Sequence, residues 1–287
     1  MNPTPRRSVL ELLGLAAEYL GKKGVEAPRR DADALLAHVL ECDRLHLYLR
    51  FEEAPTPKEV DLFRALMVRR GEREPLQYLT GTVRFDGLQL ACDRRALIPR
   101  PETEDLLRLV AGLGGGVQGW RCADIGTGTG CLALALAARG AEVLATDISA
   151  DALALAGENA RALGLTERVR LGKGDLLAPL EGEGAFDLIV SNPPYIALGE
   201  RSALAPEVAA WEPETALFAG AQGLDLLVPL LDRARSHLKP GGWLAMECGK
   251  GQAAGLAVRA LDAGWGTAET RRDGFDVERF VVCRNGS

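Results

Sequence analysis

The chain has 287 residues and a mass of 30.7 kDa, enough for one large domain or two ordinary ones with a real core. Hydrophobic residues make up 47% and charged residues 26%, which excludes fibres, collagen-like chains and disordered tails. Thirty-four Lys and Arg against 40 Asp and Glu leave a net charge of −6, so no overall basic field exists to hold a polyanion without specific contacts.

At the start, Arg6-Arg7-Ser8 and the apolar stretch after it have the outline of a twin-arginine export signal. Glu11 and Glu18 interrupt that stretch, and helical spacing runs through it, which favours a cytoplasmic protein. Apolar residues at i, i+3, i+4 spacing predict helices over 8–20, 31–40 and 58–70, punctuated by Gly21, Gly24, Pro28, Pro55 and Pro57. Residues 1–80 carry 13 basic and 13 acidic side chains, so this neutral bundle suits a protein-contact or lid module better than a DNA reader.

From 81 to 97 the pattern changes to alternation about Gly87, which predicts a β-hairpin joining two domains. Leu97-Ile98-Pro99-Arg100-Pro101-Glu102-Thr103-Glu104 then opens a helix, with proline near its first turn and acids complementing its dipole. After 119 short apolar strands alternate with helices. Strands are predicted over 121–125, 142–147, 169–173, 186–191, 242–248 and 278–284, and helices over 131–138, 150–163, 223–238 and 252–263. That order is a doubly wound α/β domain with a mostly parallel sheet.

Six widely spaced cysteines, never in C-x-x-C, read as reduced and mostly buried, and three scattered histidines give no metal-ligand cluster. No run of about 18 apolar residues suggests a membrane span.

Two motifs carry chemistry. Asp124-Ile125-Gly126-Thr127-Gly128-Thr129-Gly130 stands where the first strand of the α/β domain turns into its helix, and glycines there let a ligand approach the backbone. A tight turn without a ligand would use similar residues, but two acids narrow the reading. Asp147 ends the second strand, where a carboxylate can accept from both ribose hydroxyls; Asp175 follows the third, where it can accept from an adenine amine while Leu176 packs on the ring. The short G-x-G-x-G favours S-adenosylmethionine over a dinucleotide, whose pyrophosphate needs the longer glycine loop.

The second motif is Ser191-Asn192-Pro193-Pro194-Tyr195-Ile196, directly after the fourth strand. The prolines fix the backbone, so the Pro193 carbonyl and the Asn192 side-chain oxygen can point the same way as paired acceptors for a planar NH2 group. An amide nitrogen is a poor nucleophile because its lone pair is delocalised, so such a site has to orient it toward the methyl donor. Tyr195 is expected to wall or stack on the planar group.

Together with Arg69 to Gly81, Leu97 to Glu104, Asp147-Ile148-Ser149 and Trp211 to Phe218, these motifs resemble the peptide chain release factor glutamine N(5)-methyltransferases of the PrmC/HemK type, within the class I methyltransferases. The resemblance covers nearly the whole chain. It implies a Rossmann-like methyltransferase domain over 98–287 with a seven-stranded sheet, a helical bundle over 1–80 that docks the substrate protein, and a hairpin linker over 81–97. It further implies S-adenosylmethionine cradled by Gly126, Thr127, Gly128, Thr129 and Gly130, with Asp147 on the ribose and Asp175 with Leu176 on the adenine. Asn192, Pro193 and Tyr195 would hold the substrate glutamine, Pro194 would shape the turn, and Asn192 would also border the cofactor. Glu102 and Thr103 are assigned either to closing over the cofactor or to capping a helix, and Glu212 to bracing a loop. In Met246-Glu247-Cys248-Gly249 the cysteine departs from the aliphatic residue usual in the family.

The expected partners are release factors, met by a monomer without nucleic acid, membrane or metal. Two other classes share features with this reading. An adenine or guanine amino methyltransferase also uses N-P-P-Y, but it needs a basic recognition surface that the neutral bundle and acidic core domain lack. A module that only binds an adenosyl ligand has no use for paired acceptors facing its reactive end.

Overall fold

Ser8 opens the first helix with a reciprocal cap: its hydroxyl accepts from the Glu11 amide, and Glu11 accepts from the Ser8 amide. The computed structural model describes residues 7–286, so Arg6 of the export-like start lies outside the described residues. The chain divides into two units, one reaching to Gly81 and including Ala205–Trp211, the other holding Thr82–Leu204 and the residues from Glu212 onward.

The first unit comprises α1 (Val9–Lys22), α2 (Pro28–Val39), α3 (Arg44–Leu49), α4 (Pro57–Gly71) and α5 (Leu76–Thr80). The spacing predicts α1, α2 and α4 but not α3 or α5, whose single turns are too short to show a period. Leu13, Leu20, Leu35, Leu36 and Phe63 fill its core. Arg70, nearly fully buried on α4, is held between Asp31 (2.8 Å) and Glu207 (3.0 Å), and Arg73 also grips Glu207.

The second unit begins with a hairpin of β1 (Thr82–Phe85) and β2 (Leu88–Ala91). Its turn residues Asp86 and Gly87 both have positive φ, the backbone that matches the twist of two-residue hairpins. Then follow α6 (Pro101–Ala111), β3 (Arg121–Ile125), α7 (Cys131–Ala138), β4 (Glu142–Asp147), α8 (Ala150–Ala162), β5 (Val169–Lys173) and β6 (Phe186–Ser191). Next is α9 (Pro206–Trp211), which belongs to the first unit, and after it α10 (Leu227–Ala234), β7 (Leu238–Glu247), α11 (Ala253–Asp262), β8 (Thr267–Arg272) and β9 (Glu278–Arg284).

The seven-stranded sheet has the order β5-β4-β3-β6-β7-β9-β8, parallel except for β9, which runs antiparallel to both neighbours. Alternating residues bury each face. Cys122, Leu188, Val190, Phe280 and Val282 pack with α6 and α7; Ala123, Ile125, Ile189, Val281 and Cys283 pack with α10 and α11. The chain leaves β3 toward β4 on one side and later returns to β6 on the other, so a crevice opens at the carboxyl ends of β3 and β6. Asn159 of α8 ties the hairpin to the rim of that crevice: its Oδ1 accepts from the Ala91 amide, and its Nδ2 donates to the carbonyls of Ala91 and Thr129.

Candidate active site

At the end of β3 the chain turns through Gly126 and Gly128, both with positive φ, before entering α7. A Cβ at Gly126 would meet nothing within 4 Å, so that side of the turn is open. At Gly130 a Cβ would lie 3.1 Å from Leu134 and 3.2 Å from Ala156, so this glycine serves the seating of α7, and it does not line the cleft. Beneath the turn, the fully buried Asp124 accepts from the Thr127 hydroxyl at 2.6 Å and the Ala133 amide at 3.1 Å, both on Oδ2. Its Oδ1 has no hydrogen-bond partner among the described residues. Burial pushes this carboxyl up to about 7, the nearby Asp147 adding to the effect against the two hydrogen bonds.

The crevice is a cleft of about 580 Å³. It brings together Gly126, Thr127, Gly128, Thr129, Asp147, Asp175, Leu176, Asn192, Pro193 and Pro194, which lie up to 68 positions apart along the chain and come from four strand ends. Asp147 accepts from the Gly128 amide on Oδ2 and from the Ser149 amide on Oδ1. Leu176 sits at φ 45°, a left-handed conformation uncommon for a side chain of its bulk, and lines the wall beside Asp175. Ala96, Leu97 and Pro99, together with Pro213, Thr215 and Phe218, complete the walls.

The N-P-P-Y turn follows β6 directly. The Ser191 hydroxyl donates to the Ile125 carbonyl at 2.6 Å, which pins the end of β6 to that of β3. Asn192 Nδ2 donates to Thr103 Oγ1 at 2.9 Å; Thr103, itself buried on α6, donates to Glu247 Oε2 at 2.8 Å. Tyr195 differs from the expected stacking wall. It does not line the cleft; its hydroxyl donates to Glu247 Oε1 at 3.0 Å, and its side chain packs on the apolar cluster of α10 and α11. Burial pushes Glu247 up to about 7 against those two hydrogen bonds, and burial beside Glu247 raises Tyr195 as well.

Thr103 lines the cleft and Glu102 does not. Glu212 is buried and accepts from Arg100 at 2.5 Å and from the Ile98 amide at 3.4 Å, holding the segment before α6. Sequence reasoning gave Glu247 no role, although a carboxylate among apolar strand residues was a readable signal. Among the described residues no group of three or more His, Cys, Asp or Glu could hold a metal ion.

Such a cleft can take an adenosyl group along two strand-end carboxylates and present a planar amine to acceptors at its other end. Residues 11–81 match the PrmC N-terminal domain family, and residues 109–209 match the methyltransferase small domain. The Release factor glutamine methyltransferase of Deinococcus radiodurans is 45% identical over 276 residues, 96% of this chain and 97% of that one. Its namesake from Geobacter sulfurreducens is 40% identical over 281 residues, 97% of each. The T. thermophilus 16S rRNA methyltransferase RsmC, in complex with AdoMet and guanosine, superimposes with a TM-score of 0.54 over 71% of this chain and 49% of that one; at 21% identity this is a likeness of fold. Because the two bacterial enzymes are similar across the helical unit and the cleft alike, the chain belongs to the release factor glutamine methyltransferase family.

Proposed function

We propose that this protein transfers a methyl group from S-adenosylmethionine to the side-chain amide nitrogen of the glutamine in the Gly-Gly-Gln motif of peptide chain release factors. The cleft fits that cofactor: the Gly126 turn is open to it, and Asp124 Oδ1 is a buried acceptor awaiting a donor such as an ammonium group. Gly126 to Thr129 would hold its methionine part, Asp147 the ribose, and Asp175 with Leu176 the adenine, while Gly130 acts through the packing of α7. When bound, the cofactor supplies an electrophilic methyl on a sulfonium.

The observation that carries the assignment is the bond from Asn192 Nδ2 to Thr103. With its donor side engaged, Asn192 has Oδ1 left to accept from the substrate NH2, and the Pro193 carbonyl is a second acceptor on the same turn. Two acceptors on the two N–H bonds fix the plane of the amide and align its nitrogen with the methyl group. Pro194 contributes the rigidity of the turn, and Tyr195 acts through Glu247 rather than on the substrate. The protein works as a cytoplasmic monomer on release factors; no helix among the described residues is long and apolar enough to cross a membrane.

The test is transfer of labelled methyl from S-adenosylmethionine to a release factor, mapped by mass spectrometry, with an adenine-containing oligonucleotide as control. Label on the Gly-Gly-Gln glutamine is expected. Label on the oligonucleotide and none on the factor would move the protein to the nucleic-acid class.

A further inference from the structure

Behind the N-P-P-Y turn lies a buried carboxylate that cofactor binding does not use. Glu247 is 1% exposed at the end of β7 and accepts two hydroxyl hydrogens, one from Thr103 on Oε2 and one from Tyr195 on Oε1. Thr103 has one proton, and it points at Glu247, so the hydroxyl meets Asn192 with a lone pair only. Asn192 therefore has to turn its NH2 toward Thr103.

We infer that Glu247 is a positioning residue for methyl transfer: through Thr103 it sets the hydrogen-bond direction that leaves the Asn192 oxygen, rather than its NH2, for the substrate. This rests on the reading of Asn192 as an acceptor. The two ends of an asparagine amide have the same shape, so packing alone does not choose between them, and the choice falls to the hydrogen-bond network. A carboxylate is acceptor-only and fixes that network in one direction. A protonated carboxyl or a carboxamide at 247 can donate to Thr103, whose hydroxyl is then free to donate to Asn192 Oδ1; the flipped amide would face the substrate NH2 with its own NH2.

A role in packing alone is better met by an apolar residue, such as its neighbours Met246 and Cys248, because burying a carboxylate is unfavourable unless its hydrogen bonds are needed. The charged and titratable groups that face it are Arg279 on β9, which favours the ionised form, Glu102 on α6, which opposes it, and the Tyr195, Cys131 and Cys248 side chains. Burial holds Glu247 near 7, so the proton that would reverse the network binds close to neutral pH.

The experiment measures kcat at saturating cofactor and release factor from about pH 5.5 to 8.5 for the wild type and for Glu247→Gln, Thr103→Val, Thr103→Ser and Asn192→Ala, with cofactor affinity by calorimetry. The wild-type rate is expected to fall as pH drops below about 7. Glu247→Gln and Thr103→Val are expected to lose about tenfold or more in kcat with cofactor affinity kept within a few-fold, and Thr103→Ser to restore most of the rate. The acid limb should vanish in Glu247→Gln; a limb that persists there belongs to another group, such as Asp124, and overturns the inference. Near wild-type kcat in Glu247→Gln or Thr103→Val, with Asn192→Ala inactive, overturns it too. Near wild-type kcat in Asn192→Ala would instead remove the acceptor reading on which it stands. Should Glu247→Gln fail to fold, the Thr103 pair decides: equal rates for valine and serine refute the network.

Discussion

The Gly128 amide donates to Asp147 Oδ2 at 3.0 Å, which ties the glycine turn after β3 to the carboxylate at the end of β4. Ser149 donates to the other oxygen at 2.9 Å, so both oxygens are aimed before a ligand arrives, and each keeps a lone pair for a ribose hydroxyl. Asp147→Ala therefore removes two charge-assisted bonds and also loosens the turn. The expected loss of affinity for S-adenosylmethionine or its demethylated product is on the order of 2 to 3 kcal/mol. Calorimetry on the variant checks this, and an unchanged dissociation constant would refute the ribose assignment.

Asn192→Ala is expected to leave cofactor affinity within a few-fold, because the residues proposed to hold the adenosine line the cleft at the ends of β4 and β5, while methyl transfer falls about 100-fold or more. Single-turnover rates on a release factor separate the two quantities. Wild-type turnover in this variant would end the assignment of the N-P-P-Y turn as the acceptor site.

Asp124 gives a pH signature. Its ordinary value is 3.8 and burial raises it to about 7, so between those values the folded chain holds a proton that the unfolded chain has lost. Its contribution favours the fold at low pH, fully so below about pH 4, and is lost as pH rises through about 7. Without ligand, wild-type stability relative to Asp124→Asn is therefore expected to fall from about pH 5 to 8. An ammonium group on Oδ1 favours the ionised carboxylate, so stabilisation by S-adenosylmethionine should grow over the same range. Thermal melts of both proteins at several pH values, with and without ligand, check both signs; parallel curves would refute them.

What the sequence made legible follows from how local each signal is. Strands β3, β4, β6 and β9 have the predicted bounds because strands inside the sheet read as apolar runs ended by turn residues, and β5, at one edge, has them because Val169 and Leu171 alternate with polar residues ahead of Gly174. Strand β8, Thr-Ala-Glu-Thr-Arg-Arg, gives no such signal: it lies at the sheet edge, pairs only with β9 and is largely exposed. Strand β7 begins at Leu238, ahead of the expected 242, because it runs through Pro240-Gly241 with a shift in register. In the cleft, each motif announced itself by its own residues. The link from Asn192 through Thr103 to Glu247 did not, since those positions lie 89 and 144 residues apart and meet only once the sheet is closed.

The last prediction concerns how the substrate protein is held. A glutamine that reaches a cleft at strand ends has to come from an exposed loop with small neighbours, and the rest of the factor then needs a grip elsewhere. The expected grip is on the first unit: Leu45 and Leu49, four apart on α3, are 66% and 75% exposed, and apolar side chains so placed suit the centre of a protein contact. Removing residues 1–80 is a poor test of this grip, because Glu207 would lose both Arg70 and Arg73 and be left without its ion pairs. Point changes on the surface avoid that damage. Leu45→Glu combined with Leu49→Glu is expected to raise KM for the whole factor about tenfold or more, to leave kcat unchanged and to leave a short Gly-Gly-Gln peptide unaffected, since only uniform binding is lost. A change of the acceptor Gln to Glu in the same factor should stop transfer while still allowing it to compete for binding, because a carboxylate has no NH2 for Asn192 and Pro193 to hold. Steady-state kinetics on factor and peptide side by side check both expectations. An equal rise in KM on the two substrates would show that α3 acts on the cleft rather than on the partner, and an unchanged KM on both would move the docking surface off α3.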